Sequence, residues 1–242
     1  MKKEGRKVKN ERIVDLHTHI LPSVDDGPDS VEEAIKLLLA EKRQGVTDVV
    51  FTPHFLPSDM SEEDFISRRN ASFDHLQEKI KEIEALSGMS LYLGAEVRYD
   101  PHLVGMELRA LCIEGTDYLL LEPLGSFPFN FEETLQSMLS SGIIPILAHA
   151  ERFSYLVGDK KLLKQLREDG VVIQCNASAP FSRHYSKNFK KLLRGGFVDI
   201  VASDAHSIDK RPPMLKEALD KLKRHRPRLC DNAVRIIENR FV

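Results

Sequence analysis

The chain has 242 residues, of which 42% are hydrophobic and 30% charged, with a formal net charge of −2. This is the composition of one globular domain, not of a disordered chain, and it lacks the global basic field that a polynucleotide partner calls for. The longest apolar runs, residues 37–40 and 143–148, are far too short to cross a bilayer, so no membrane insertion is expected.

Residues 1–11 are basic, and no apolar segment or small-residue cleavage site follows them. They read as a flexible solvated tail with no signal peptide, which leaves 12–242 as a single domain. Short runs rich in Val, Ile and Leu then alternate with longer amphipathic stretches. The runs fall at 13–16, 48–52, 90–95, 118–121, 143–148, 171–174 and 199–202. Each is nearly continuously apolar, as strands covered on both faces of a parallel sheet should be.

Between the runs lie helix signals. Ser30 with Glu33 forms a capping box for a helix that stops at Gly45, and Ser61 with Asp64 opens a charged helix to residue 86, before Gly88. Helices over 131–141, 160–169 and 187–194 each meet a glycine (Gly142, Gly170, Gly195), the usual left-handed stop. Two more are expected at 214–225 and 231–239. Seven strand-then-helix units fit an α/β fold of the distorted (β/α)7, TIM-like barrel kind. An open doubly wound sheet would carry a glycine-rich phosphate loop after its first strand, and none is present.

Polar residues cluster where the strands end. The first gives Asp15, His17 and His19, the second His54, the third Glu96 and the fourth Glu122. The fifth gives His149, Glu151 and Arg152, and the last Asp204 and His206. In a parallel barrel these ends converge on one mouth, where active sites sit. Side chains two apart on a strand face the same way, so His17 and His19 can grip one ion together. Imidazole and carboxylate donors without thiolates suit Mn²⁺, Fe²⁺ or Zn²⁺, and Glu96 can bridge two ions. Singly, His54 could cap a turn, Glu122 could be a buried acid, and Asp204 could cap a helix. Charges converging from six strand ends on one buried mouth favour metal coordination instead. Asp15 either orients His17 or bonds nearby backbone. His75, His102, His184 and His225 read as surface or structural residues.

Cys112, Cys175 and Cys230 are odd in number and widely spaced, which suits packing residues of a reducing cytoplasm. A cysteine phosphatase needs an arginine six residues beyond its thiolate, where this chain has Tyr118, Phe181 and Ile236.

The string DLHTHILPSVDDGP, followed in order by TPH, GAE, LLLEP, PILAHAERF and SDAH, resembles the polymerase-and-histidinol-phosphatase (PHP) superfamily. Within it, the chain is similar to bacterial protein-tyrosine phosphatases encoded with capsule or exopolysaccharide genes, over residues 15–211. The resemblance implies a metal-activated water that hydrolyses phosphotyrosine, and three divalent ions, commonly manganese. One ion would be held by His17, His19, Glu96 and Asp204. A second would share Glu96 and add Glu122 and His149. The third would take Asp26, His54 and His206. Arg152 and Arg211 match the arginines that clamp the phosphate. The implied partner is a phosphotyrosine protein, such as the tail of a tyrosine kinase that regulates capsule or exopolysaccharide synthesis. Spacing alone does not separate Asp25 from Asp26; the choice of Asp26 follows from the resemblance. Phe55, where relatives often have histidine, and Ala150, where they have proline, bear on substrate shape rather than chemistry. The rival readings are a PHP phosphatase for a small phosphomonoester such as histidinol phosphate, a PHP exonuclease, a metal-binding regulator without activity, and an amidohydrolase, which often needs a mid-barrel lysine absent here. The sequence leaves the native metal, the physiological phosphoprotein, the oligomeric state and the general acid for the leaving group open.

Overall fold

The computed structural model describes residues 12–223, 226 and 228–241. The basic stretch 1–11 and His225 lie outside them, as does the side chain of Cys230. The strands are β1 (Val14–Thr18), β2 (Asp48–Phe51), β3 (His54–Phe55), β4 (Ser90–Leu93), β5 (Glu96–Arg98), β6 (Tyr118–Glu122), β7 (Ile144–Leu147), β8 (Val172–Asn176) and β9 (Ile200–Ala202). They pair in parallel as two sheets, β1-β2-β4 and β3-β5-β6-β7-β8-β9.

The expected strands at 48–52 and 90–95 are observed as β2 and β4, and after a break each is prolonged beyond the expected run by a short strand, β3 and β5. Pro53 has no N–H to offer a ladder, which explains the first break. Backbone bonds nevertheless carry the pairing across both breaks: Thr52 N–H donates to Thr18 O (2.8 Å), Gly94 N–H to Phe51 O (2.8 Å) and Glu96 N–H to Pro53 O (3.0 Å). The interval between β9 and β1 is spanned by His19 N–H to Ala205 O and Asp204 N–H to His17 O, both 2.9 Å, with a parallel bridge between Thr18 and Ala205. The seven strand runs expected from the sequence are thus arranged as a distorted, barrel-like ring.

Helices α1 (Val31–Arg43), α2 (Glu62–Ile80), α3 (Phe131–Ser140), α4 (Ser154–Gly158), α5 (Lys160–Glu168), α6 (Ser186–Gly195), α7 (Leu215–Lys223) and α8 (Arg228–Ile237) follow the strands. Ser30 and Ser61 accept the N–H of Glu33 and Asp64 as caps, at 3.3 and 3.1 Å. Several boundaries differ from expectation; the last helix, for example, begins at Arg228 rather than 231. Helix α2 ends at Ile80, and a 3₁₀ turn at Glu84–Leu86 occupies the rest of the charged stretch. The stop after α6 is Gly196, with φ of 74°, rather than Gly195, which remains helical. A Cβ on Gly195 would lie 2.5 Å from the Phe197 ring, so the earlier glycine serves packing.

Two apolar layers result. An inner cluster of Val14, Leu16, Tyr118, Leu120, Ile146, Val172 and Ile200 fills the ring, together with Ala233 and Ile236 of α8. A larger outer cluster packs the remaining strand faces against the helices. A register shift between Asp15 and Thr18 separates neighbours that would share a face on a regular strand. Asp15 packs against Glu41 of α1, while His17 reaches the mouth of the ring. A bulge that re-aims a side chain beside a functional site is a recurrent device of sheets.

Candidate metal centre

The expected donors meet at the C-terminal mouth as three groups: His17, His19 and Glu96; Glu96, Glu122 and His149; and His19, Asp26, His54 and His206. The potential ligand atoms within each group all lie within 4.8 Å of one another. Glu96 is fully buried and central. Its Oε2 is 3.0–3.4 Å from nitrogens of His54, His19 and His17, and its Oε1 is 2.9 Å from His149 Nε2. Asp204 Oδ1 stands 3.4 Å from His17 Nε2 and 3.6 Å from His19 Nε2, closing the first group from β9.

Asp25 and Asp26, indistinguishable in sequence, separate here. The Asp25 side chain is buried, and its carboxylate accepts from His19 Nδ1 (2.6 Å), the His54 amide (3.0 Å) and the Gly27 amide (3.0 Å). This turn needs glycine at 27, since a Cβ there would sit 2.1 Å from His19 O. Asp26 is 61% exposed, with Oδ1 3.1 Å from His206 Nε2 and 3.5 Å from His54 Nε2. Asp25 therefore orients a candidate ligand, and Asp26 has an oxygen free to be one.

The residues fit divalent ions on their own chemistry. His17 Nε2 and His19 Nε2 face each other at 3.0 Å, a poor arrangement for two imidazoles without a shared cation. Glu96 Oε2, His149 Nδ1 and His206 Nε2 are buried and make no well-aligned hydrogen bond, although polar atoms stand close to Glu96 Oε2 and His206 Nε2. Burial, then Asp25 and Glu96, act in opposite senses on His19; the carboxylates prevail and raise it to about 10. Burial and the neighbouring His19 push His206 down to about 2. His149 and Asp204 hold left-handed backbone, with φ of 34° and 56°. For residues with a Cβ this is strain of the kind that accumulates at working sites.

Arg152 and Arg211 converge on Asp204. Arg152 Nη2 donates to its Oδ2 at 2.5 Å, and Arg211 Nη2 to both oxygens at 2.8 Å. Both arginines remain partly exposed. Two residues that the strand-end pattern did not pick out complete the floor. Gln174 Oε1 accepts the His149 amide (2.5 Å) and lies 3.4 Å from His17 Nδ1, while its Nε2 donates to Asn176 Oδ1 (2.8 Å). Asn176 Nδ2 in turn donates to Asp204 Oδ2 (2.6 Å). The signal was the alternation QCN at the end of β8, where polar side chains share the face of the ligands.

Two strand-end candidates are elsewhere. Asp15 accepts the amides of Ser203 (3.0 Å) and His17 (3.4 Å), so it bonds backbone, while the His17 ring faces Gln174. Glu151 is buried beside β8, accepting the Asn176 amide at 3.2 Å, and stands in none of the three groups. His75, His102 and His184 are exposed. Cys112 and Cys175 are buried, which pushes the Cys112 thiol up to about 11 and Cys175 well above the ordinary thiol range. Neither is an activated thiolate. Among the described residues no helix is long and apolar enough to cross a membrane.

Comparison with known proteins gives the chain's relatives. The chain is 37% identical over 213 residues to the putative tyrosine-protein phosphatase CapC of Staphylococcus aureus, covering 85% of this chain and 81% of the relative. It is 30% identical over 256 residues to the tyrosine-protein phosphatase CpsB of Streptococcus pneumoniae, covering 95% and 100%. In fold it is similar to a crystal structure from work on YwqE of Bacillus subtilis and CpsB of Streptococcus pneumoniae, metal-dependent tyrosine phosphatases. The TM-score is 0.84 with 24% identity, over 94% of this chain and 95% of that one. The family described as capsular polysaccharide synthesis, CpsB/CapC, matches residues 13–238, and the chain belongs to it.

Proposed function

We propose that the protein is a divalent-metal-dependent phosphatase that hydrolyses phosphotyrosine in a protein substrate. The observation that carries this reading is the convergence of three donor groups, linked to one another through His19 and Glu96, with Arg152 and Arg211 at their edge. The CapC and CpsB relatives, named as tyrosine-protein phosphatases, support the substrate class. The ligand assignment adds Asp204 to the first group and gives His19 to that group alone: His17, His19, Glu96 and Asp204; Glu96, Glu122 and His149; Asp26, His54 and His206. Three ions per chain, with Mn²⁺ first and Fe²⁺ or Zn²⁺ as alternatives, match these nitrogen and oxygen donors. The substrate would be a tyrosine kinase of capsule or exopolysaccharide synthesis, and the place of action the cytoplasm.

Divalent ions in this site supply charge neutralisation and the acidity that makes water a nucleophile near neutral pH. The chain's own residues do the rest. Arg152 and Arg211 provide planar guanidinium forks for the phosphoryl oxygens, neutralising charge as the leaving phenolate departs. Asp25 fixes the His19 ring, and the Gln174–Asn176 pair fixes His149 and Asp204. Purified protein should hydrolyse an aryl phosphate with Mn²⁺, stop with a chelator, and lose most activity in His17→Ala or His149→Ala. Full activity of chelator-treated, metal-free protein would refute the proposal.

A further inference from the structure

Beside His149 the site has an aromatic margin. Two segments build it, and each begins at a strand end that bears a donor of the second group. After Glu122 the chain enters a loop at 123–130 that carries Phe127 and Phe129. After His149 it passes through Arg152 to Phe153 and Tyr155. The rings form a continuous series. His149 and Phe153 have centroids 5.7 Å apart, Phe153 and Tyr155 5.9 Å, and Tyr155 meets Phe127 edge-on at 5.5 Å. Phe127 also meets Phe131 edge-on at 5.8 Å.

The series runs from buried to open. Phe153 is buried, Tyr155 is half-buried, and Phe127 and Phe129 are 50% and 81% exposed, the two most exposed large apolar side chains among the described residues. Their backbone is tied down. Tyr155 OH donates to Leu124 O (3.0 Å), and Tyr99 OH donates to Phe129 O (2.5 Å) while receiving the Thr134 hydroxyl (3.3 Å). A loop anchored at both ends that still presents two phenyl rings to water is built to meet an apolar face. The other highly exposed rings differ in place or cover: Lys221 lies over Phe181 at 4.4 Å, for instance.

Resting on the phosphatase reading, we infer that Phe127, backed by Tyr155 and flanked by Phe129, is the wall that receives the aromatic ring of the tyrosyl phosphate. The phosphoryl end of such a substrate is fixed by Arg152, which shares its segment with Phe153 and Tyr155. In this arrangement the ring would lie on the Glu122 and His149 side, where the aromatic series begins at His149. Edge-to-face packing there selects aryl over alkyl phosphates, because a planar ring gains a quadrupolar contact that a serine or threonine side chain lacks. Phe127 and Phe129 are specificity residues and take no part in bond breaking.

The test compares wild type with Phe127→Ala and Phe127→Trp. Each protein is assayed with a phosphotyrosine peptide, with inorganic phosphate as a competitive inhibitor, and for bound metal. The alanine variant should raise KM for the peptide by about tenfold, in line with the loss of one aromatic pair. Its kcat, metal content and phosphate inhibition constant should stay at wild-type values, and the tryptophan variant should restore KM. An unchanged KM in the alanine variant, with wild type active, overturns the wall alone. So does a phosphate inhibition constant that rises in step with KM, which would make the loop a support of the phosphoryl site. Wild type that fails to turn over the peptide at all overturns the phosphatase reading beneath it.

Discussion

Neighbouring aspartates with opposite duties give the sharpest test of the site. Asp25 is 5% exposed and accepts three hydrogen bonds, whereas Asp26 is 61% exposed and aims one oxygen at two histidines. Asp25→Ala leaves His19 Nδ1 and two amides without their acceptor inside the protein. Hydrogen bonds to a charged group contribute about 1.5–3 kcal/mol each and do not add fully, so the loss should be about 3 kcal/mol. For a domain of this size that lowers Tm by roughly 6–12 °C. Without its orienting partner, His19 should also bind metal about 10–100-fold more weakly. Asp26→Ala should leave the Tm of metal-free protein nearly unchanged, within about 0.5 kcal/mol, as surface substitutions do. Its effect should fall on metal content and turnover. The assays are thermal unfolding in chelator, metal analysis after reconstitution, and aryl phosphate hydrolysis. An Asp26→Ala protein with full metal content and activity, or an Asp25→Ala protein as stable as wild type, would refute the division of labour.

Other expectations are simpler. Arg152→Lys keeps the charge but removes the planar fork, so kcat/KM for an aryl phosphate should fall at least about tenfold with metal content retained; steady-state kinetics beside metal analysis decides this. Burial, and then the facing Asp15, hold Glu41 well above its ordinary value of 4.5. As pH rises past about 4.5 the unfolded chain releases that proton and the fold does not, so stability falls with pH until the folded group ionises. Glu41→Gln carries no such proton and should flatten the slope by up to about 1.4 kcal/mol per pH unit, measured by urea unfolding of metal-free protein between pH 5 and 8. Parallel slopes for the two proteins would contradict the assignment.

Much of the architecture was legible because strands covered on both faces must be apolar throughout, and all but one of the runs ended in a potential ligand. His17, His54, Glu96, Glu122, His149 and Asp204 could be marked from position alone. What stayed hidden was local geometry with no periodic trace. The bulge that parts Asp15 from His17 is a one-residue event inside an otherwise regular run. The short α4 is too brief for a helical repeat to declare itself. Gln174 and Asn176 are neutral, so a search for charged ligands passed over them. Asp25 and Asp26 have the same chemistry, and only the turn closed by Gly27 decides which one is buried.

The bonds that join the last strand to the first have a consequence for assembly. His17 and His19 stand on one bank of that junction and Asp204 and His206 on the other. On the proposed ligand assignment, a cation shared across it would work as a clasp, fastening the two banks at the point where regular pairing is thinnest. Any ion that favours the fastened form adds stability by mass action, about 2.7 kcal/mol at a hundredfold excess over Kd. Amides such as those of His19 and Asp204 should accordingly exchange with solvent sooner when metal is stripped away, well before the rest of the ring gives way.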